Sequence, residues 1–177
     1  MHRRRLRGPV ALRGAGVGAR RRTGTGGPDR IEGTRGSDVL NGRGGDDRLL
    51  GLRGDDRLVG GTGADVLGGG PGRDVLAGGP GRDILLGGAG ADRISGGSGR
   101  NLLVGGSGRD RLTGSGGDDR LLTVDGRSDL VSCGPGVDRV IADPPRSRQR
   151  RLRPRYPAQA PMSRRPGVRA LDGPACR

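Results

Sequence analysis

From Gly24 to Leu122 the sequence reads GTGGPDRIE, GTRGSDVLN, GRGGDDRLL, GLRGDDRLV, GGTGADVLG, GGPGRDVLA, GGPGRDILL, GGAGADRIS, GGSGRNLLV, GGSGRDRLT and GSGGDDRLL. These are eleven consecutive units of nine residues, numbered here as positions 1 to 9. Positions 1 and 4 are always Gly, and position 8 is always Ile or Leu. Position 6 is Asp in ten units and Asn101 in the ninth, whereas positions 2, 3, 5, 7 and 9 vary. The stretch is therefore a true repeat with constrained positions.

Each constrained position has a physical interpretation. Gly at positions 1 and 4 suits a loop that needs positive φ or close approach of two backbones. The triplet at positions 7 to 9 has one apolar side chain between two that point the other way, which is typical of a very short strand. A fixed period stacks the loops, so the Asp carboxylates form rows that repel one another unless a cation lies between them. Carboxylate and glycine-loop carbonyl oxygens favour Ca²⁺ over Mg²⁺.

Eleven such units in register resemble the hemolysin-type calcium-binding repeats of the RTX family, whose consensus is GGxGxDxUx. The resemblance implies an all-β fold, a parallel β-roll that is a right-handed β-helix-like solenoid of stacked nonapeptide repeats. In that family two consecutive repeats make one turn, so the eleven repeats give about five and a half turns. Each Ca²⁺ lies between the loops of repeats i and i+2.

Carried over residue by residue, the resemblance implies two rows of calcium ligands. The first row is Asp29, Asp47, Asp65, Asp83, Asn101 and Asp119, and the second row is Asp38, Asp56, Asp74, Asp92 and Asp110. Asp138, in a degenerate repeat after the array, is added to the expected ligands. Asn101 brings an amide where the other repeats bring a carboxylate, so we expect the ninth repeat to be the weak point of the array.

The chain of 177 residues divides into three parts. Residues 1–23 are expected to be a disordered basic leader, 24–143 a calcium-binding β-roll and 144–177 a disordered Arg- and Pro-rich tail. Within the roll, 24–122 holds the regular repeats and 123–143 two degenerate capping repeats. Because the chain has no Phe or Trp and one Tyr, its core must be the position-8 ladder. So thin a core in a chain with 41 Gly predicts folding that depends on metal.

The net charge of +14 lies in the two ends, because residues 24–143 carry 15 Arg and 18 acidic residues. The alternative function is therefore an Arg-rich binder of nucleic acid or an anionic surface that uses the tails, with the repeats as a spacer. Nucleic-acid binding is the weaker interpretation, since a single Tyr cannot make an interleaved aromatic surface. A test is filter binding, where a steep salt dependence would favour this alternative.

Sequence motifs of catalysis are missing: the lone His2 lies in the leader, and neither H-E-x-x-H nor G-x-S-x-G occurs. We therefore expect no enzymatic activity. No apolar run is long enough for a membrane span or a signal peptide. The resemblance nevertheless implies an extracellular, secreted or surface-associated bacterial protein, because relatives fold where Ca²⁺ is plentiful. Cys133 and Cys176 are the only two cysteines, and the sequence does not show whether they pair.

Two features of the variable positions stay open. Val66, Ile84, Leu86, Leu102 and Val104 recur at outward positions on the odd-numbered repeats, as either a docking surface for a partner or an incidental strand surface. Position 5 holds Asp in repeats 3, 4 and 11 and Arg in repeats 6, 7, 9 and 10. These charges either tune calcium affinity or simply point into water, and the second interpretation is favoured.

Overall fold

The computed structural model describes residues 11–12, 18–142 and 169–170. In these ranges the chain contains strands and no helix, and therefore no helix that could cross a membrane. The strands are β1 (Ala11–Leu12), β2 (Arg21–Thr23), β3 (Arg30–Glu32), β4 (Val39–Gly44), β5 (Arg48–Leu50), β6 (Arg57–Thr62), β7 (Val66–Pro71), β8 (Val75–Pro80), β9 (Ile84–Gly90), β10 (Arg93–Ser98), β11 (Leu102–Gly108), β12 (Arg111–Gly116), β13 (Arg120–Thr123), β14 (Leu130–Ser132), β15 (Arg139–Ala142) and β16 (Arg169–Ala170).

The strands alternate between two parallel sheets. One eight-stranded sheet runs in the order β1, β3, β5 and so on to β15, and the other holds the even-numbered strands from β2 to β16. Within the array each residue pairs with the residue 18 positions later, as Leu67 does with Leu85. Two repeats therefore make one turn, and the predicted all-β parallel β-roll is confirmed.

The roll is longer than the eleven regular repeats. Strands β14 and β15 come from the degenerate repeats and continue both sheets, with Leu112 paired to Val131 and Leu121 to Val140. Strand β2 lies in the segment expected as a leader and pairs in parallel with β4. Strands β1 and β16 add one short pairing at either end. The sheets thus hold more turns than the five and a half expected from the regular repeats alone. The rest of the expected disordered leader and tail lies outside the described residues.

The core is the predicted position-8 ladder. All eleven of its Ile and Leu side chains are at most 2% exposed, and Val131 of β14 extends the same column. Because one residue per strand faces inward between two sheets, the core is one side chain wide on each sheet. Cys133, two residues after Val131, joins the same core cluster, is 1% exposed and is disulfide-bonded. Cys176, the only other cysteine of the sequence, lies outside the described residues.

The glycines of the repeat have different tasks. Position 2 varies in the sequence, but the structure constrains its backbone conformation in most repeats. Gly61, Gly70, Gly79, Gly88, Gly97 and Gly106 occupy position 2 with φ between 99° and 116°. In the five repeats without Gly at position 2, Arg43, Leu52 and Ser115 hold φ of 82° to 84°, a conformation that side chains disfavour, whereas Thr25 and Thr34 do not have positive φ. Position 1 keeps ordinary φ but needs Gly because a Cβ there would overlap the position-6 side chain, as at Gly60 and Asp65.

We predict that Gly79→Ala destabilises the folded roll by about 2 kcal/mol or more. Gly79 has φ of 113°, and a Cβ there would overlap the carbonyl oxygen of Gly61 in the next turn. The matched control is Gly116→Ala, because a Cβ at Gly116 meets no atom within 4 Å and this glycine has no positive φ. Thermal denaturation in excess calcium measures both variants, and equal melting temperatures would contradict the prediction.

Candidate metal centre

The position-6 side chains form two continuous rows, one on the loops before the odd-numbered strands and one on the loops before the even-numbered strands. From the third repeat onward, each Oδ1 accepts a hydrogen bond from the backbone N–H of the position-6 residue one turn earlier. Within the regular repeats the N···Oδ1 distances range from 2.7 Å, for the Asp29 N–H and Asp47, to 3.0 Å, for the Asp83 N–H and Asn101. The structure thus brings together, row by row, the residues that the sequence predicted.

The second carboxylate oxygen of most row members is buried without a donor. Oδ2 has no hydrogen-bond partner among the described residues in Asp47, Asp56, Asp65, Asp74, Asp83, Asp92, Asp110, Asp119 and Asp138. These side chains are at most 3% exposed. A buried carboxylate oxygen without a donor is costly, and like carboxylates one turn apart add repulsion. Each row is therefore a line of oxygen atoms that lacks a positive counterpart in the polypeptide.

The pKa values of the row carboxyls respond to this environment. Burial, followed by the neighbouring carboxylates Asp65 and Asp29, raises the pKa of Asp47 to about 6, and burial raises the pKa of Asp56 to about 7. Burial also raises the pKa of Asp92 to about 7. The hydrogen bond from the preceding turn lowers each of these values but does not offset burial. The folded polypeptide alone therefore disfavours charged rows.

In the first two repeats, protein donors bond Oδ2 of the carboxylates, whereas Oδ1 of Asp29 is buried without a hydrogen-bond partner among the described residues. Thr25 donates to Oδ2 of Asp29 through its backbone N–H at 2.5 Å and its hydroxyl at 3.0 Å. Thr34 does the same for Asp38, whose Oδ1 accepts the backbone N–H of Arg20. Both oxygens of Asp38 are thus occupied by protein donors, so Asp38 is the predicted ligand with the least free capacity.

Asn101 keeps the row but changes its chemistry. Its Oδ1 accepts the backbone N–H of Asp83 at 3.0 Å, so the amide nitrogen takes the place of the second oxygen and contacts the carbonyl of Gly99 at 3.4 Å. An NH₂ group donates hydrogen bonds and cannot coordinate a cation. The ninth repeat therefore lacks a charge and, in this orientation, a coordinating atom as well.

Sequence reasoning missed Asp129 as a row member. The backbone N–H of Asp110 donates to its Oδ1 at 2.8 Å, and the side chain is 4% exposed. The extra residue after Leu122 shifts the spacing to 19, which hides Asp129 from a strict nine-residue period. The Asp-x-apolar pairing of Asp129 and Val131 is the signal that identifies it.

Position-5 acids have a structural task that the sequence did not reveal. Oδ1 of Asp46 accepts the backbone N–H of Ala64 at 2.8 Å, and Asp55 and Asp118 bond the next turn in the same way. They form outer counterparts of the inner rows. The position-5 arginines Arg73, Arg82, Arg100 and Arg109 are exposed, in agreement with the favoured interpretation.

The predicted apolar patch lies on the outer face of the odd-numbered sheet. Ile84 and Leu86 of β9 are 38% and 42% exposed, whereas Val66, Leu102 and Val104 on the flanking strands are half-buried. Leu52 and Leu86 border a shallow groove with Gly68 at its base. That a partner docks here stays a prediction.

Comparison with known protein families agrees with this geometry. The model of the RTX calcium-binding nonapeptide repeat matches the sequence in four copies, over residues 23–58, 50–85, 68–103 and 95–129. The chain belongs to the RTX calcium-binding repeat family. No curated protein matches the sequence. Membership identifies calcium as the ion that the repeats of this family bind, and the family is one of calcium-binding repeats without a catalytic motif of its own.

The residues of the rows fit calcium. Their free groups are oxygen atoms, and the described row members bring no sulfur or imidazole nitrogen of the kind suited to softer metals. In the described ranges no three His, Cys, Asp or Glu side chains converge on one point. Each site would therefore take its carboxylates from neighbouring turns and its remaining oxygens from loop carbonyls.

We predict that Asn101→Asp lowers the calcium concentration at the folding midpoint, because it restores a carboxylate oxygen next to Asp83 and Asp119. The reverse change at a regular repeat, Asp65→Asn, should raise the midpoint by about three-fold or more. Calcium titrations followed by circular dichroism measure both. An unchanged or higher midpoint for Asn101→Asp would contradict the stacked-site assignment.

We predict that without metal the roll is more stable at about pH 5 than at about pH 8. The folded-state pKa values of about 6 to 7 lie above the unfolded value of 3.8, so folding takes up protons. The stabilisation is complete below the unfolded pKa and is lost as the pH rises through 6 to 7. Circular dichroism in excess EDTA across this range measures it. Less β signal at the acidic end would contradict the burial of these carboxyls.

Proposed function

We propose that calcium ions bound along the two position-6 rows fold this chain, and that calcium-coupled folding is its function. The observation that supports the proposal most is the row of buried Oδ2 atoms without donors. A cation between two turns neutralises both carboxylates and gives each free oxygen a partner. The position-6 residues of the array and Asp138 would serve as ligands, with Asp38 and Asn101 contributing least. Asp129 is added to them because it follows Asp110 in the row of the even-numbered strands.

The thin core supports a dependence on metal. The buried apolar side chains form a single column, and the chain must order 41 Gly residues whose unfolded state has high entropy. Many of these glycines hold positive φ values that other residues disfavour. Fixing these conformations costs entropy, which is offset only when the turns stack. Metal bound by the folded state alone adds its binding free energy to stability.

Calcium-coupled folding suits a protein that works outside the cell. Sites of extracellular type have Kd values of about 10⁻⁴ to 10⁻³ M, well above cytosolic calcium. The family is consistent with a secreted or surface-associated bacterial protein. The roll would then stay unfolded inside the cell and fold after export. We propose no enzymatic role for it.

We predict that the chain shows little β signal in excess EDTA at neutral pH and gains it cooperatively as calcium rises. The stacked turns share ligands, so binding at one site preorganises the next. Circular dichroism at increasing CaCl₂ concentration measures the transition, and magnesium at the same concentrations should be much less effective.

A matched pair of variants shows whether the rows bind the ion. Asp74→Asn removes a buried row carboxylate and should raise the calcium midpoint, whereas Asp55→Asn changes the exposed neighbouring acid, whose oxygen can still accept the Arg73 N–H. Asp55→Asn should leave the midpoint nearly unchanged. A complete β spectrum in EDTA at neutral pH, or equal midpoints for the two variants, would sink the proposal.

A further inference from the structure

Four arginines meet on one side of the roll, where loops precede the even-numbered strands. Arg73 and Arg109 occupy position 5 two turns apart, and Arg93 and Arg111 occupy position 7 on the paired strands β10 and β12. Together they line one open groove, with Ala91 between the two position-5 arginines. All four side chains are exposed.

None of these four arginines forms an ion pair with an acidic residue among the described residues. Within residues 18–142 the ion pairs are Arg30 with Glu32, Arg100 with Asp118 and Arg127 with Asp125. None of the four groove arginines has an ion pair or a side-chain hydrogen bond with another described residue. The groove is lined by four cations against two carboxylates, Asp92 and Asp110, which are buried row members.

The equivalent groove on the other side of the roll is different. It is lined by Arg100, Arg120 and Arg139 against three carboxylates, Asp118, Asp119 and Asp138. Arg100 also reaches Asp118 at 3.5 Å. Its cations and carboxylates are equal in number, unlike those of the groove with four arginines.

The spacing of the strands and loops that carry the four arginines would let their guanidinium groups reach one tetrahedral oxyanion. Adjacent strands lie about 4.8 Å apart, so Arg93 and Arg111 are one spacing apart and Arg73 and Arg109 are two. Guanidinium donates two parallel hydrogen bonds to phosphate or sulfate oxygens. The small side chain of Ala91 leaves room between the position-5 arginines for such a group.

We propose that this groove, lined by Arg73, Arg93, Arg109 and Arg111, is a binding site for the phosphate or sulfate group of a ligand. The proposal rests on the calcium-bound roll of the preceding section, because the arginines meet only when the turns stack. Calcium at Asp92 and Asp110 would also neutralise the two carboxylates of the groove, so that the arginine charges could attract the anion.

The test titrates the full-length chain in calcium with two probes, sodium sulfate and methyl phosphate, against sodium chloride of matched ionic strength. Arginine Nε–H signals in NMR spectra report binding, with an expected Kd of about 1 mM or below for the preferred probe. The two arms distinguish a sulfate ligand from a phosphate ligand. Equal effects of chloride would show ionic screening only and would overturn the proposal.

Three variants localise the binding. Arg109→Ala should weaken it about ten-fold, because Ala is already found at position 5 in Ala64 and Ala91 and removes only the guanidinium. Ala91→Asp should abolish it, because the introduced carboxylate places a negative charge in the groove. The backbone N–H of Arg109 can hold this carboxylate there, as the backbone N–H of Ala64 holds that of Asp46. Arg100→Ala, in the balanced groove, should change the affinity less than about two-fold.

Circular dichroism of every sample separates this proposal from calcium-coupled folding. A chain that keeps its β spectrum in EDTA contradicts calcium-coupled folding but still presents the groove for titration. A chain that stays without β signal in calcium contradicts both. Normal β spectra with equal anion affinity in all three variants would show that anions bind elsewhere, and the groove assignment would be wrong.

Discussion

The hydrogen bond from one position-6 backbone N–H to the position-6 carboxylate of the next turn determines most of this structure. It ties each loop to the loop above it, as Asp56 N–H does with Asp74. The same bond leaves the other carboxylate oxygen inside the roll and places acids one turn apart. The hydrogen-bonded backbone geometry thus requires buried carboxylates that lie close to one another, which is electrostatically unfavourable. Burial raises the pKa values of these carboxyls. A cation would resolve this conflict without disturbing the hydrogen bond, because in most row members the second carboxylate oxygen accepts no hydrogen bond.

The period of the sequence was sufficient to predict short strands, an apolar core at position 8 and stacked position-6 side chains. The resemblance to the repeat family supplied the two repeats per turn, from which the two alternating sheets and the two rows follow. The family resemblance supplied the ion, which the residues only narrow to a hard cation. The core from Ile31 to Leu121 was therefore predicted residue by residue.

Other features could not be derived from the period because they depend on backbone contacts between turns. Position 2 varies in sequence, yet nine of the eleven repeats hold positive φ there, and Arg43 and Leu52 show that a stacked turn tolerates a side chain in this conformation. Strand β2 lacks the repeat signature and forms because β4 offers it an open sheet edge. The position-5 hydrogen bonds were also missed, since an exposed acid in a sequence does not show which backbone N–H lies beside it.

The alternation of repeats between two sheets allows the two sides of the roll to carry different surfaces. Positions 5, 7 and 9 recur on the same side only every 18 residues, so odd and even repeats can diverge while sharing one core. The odd-numbered sheet has acquired the exposed Ile84 and Leu86, whereas the corresponding outward residues of β10 and β12 are Arg, Ser and Thr. The loops diverge as well, with paired charges at Arg100 and Asp118 and unpaired arginines at Arg73 and Arg109. The inner rows are nearly alike on the two sides, with Asn101 of the odd-numbered side as the main exception, so the two sides differ chiefly in their outer surfaces. A surface that differs while its scaffold repeats is where the specific contacts of a solenoid are to be sought.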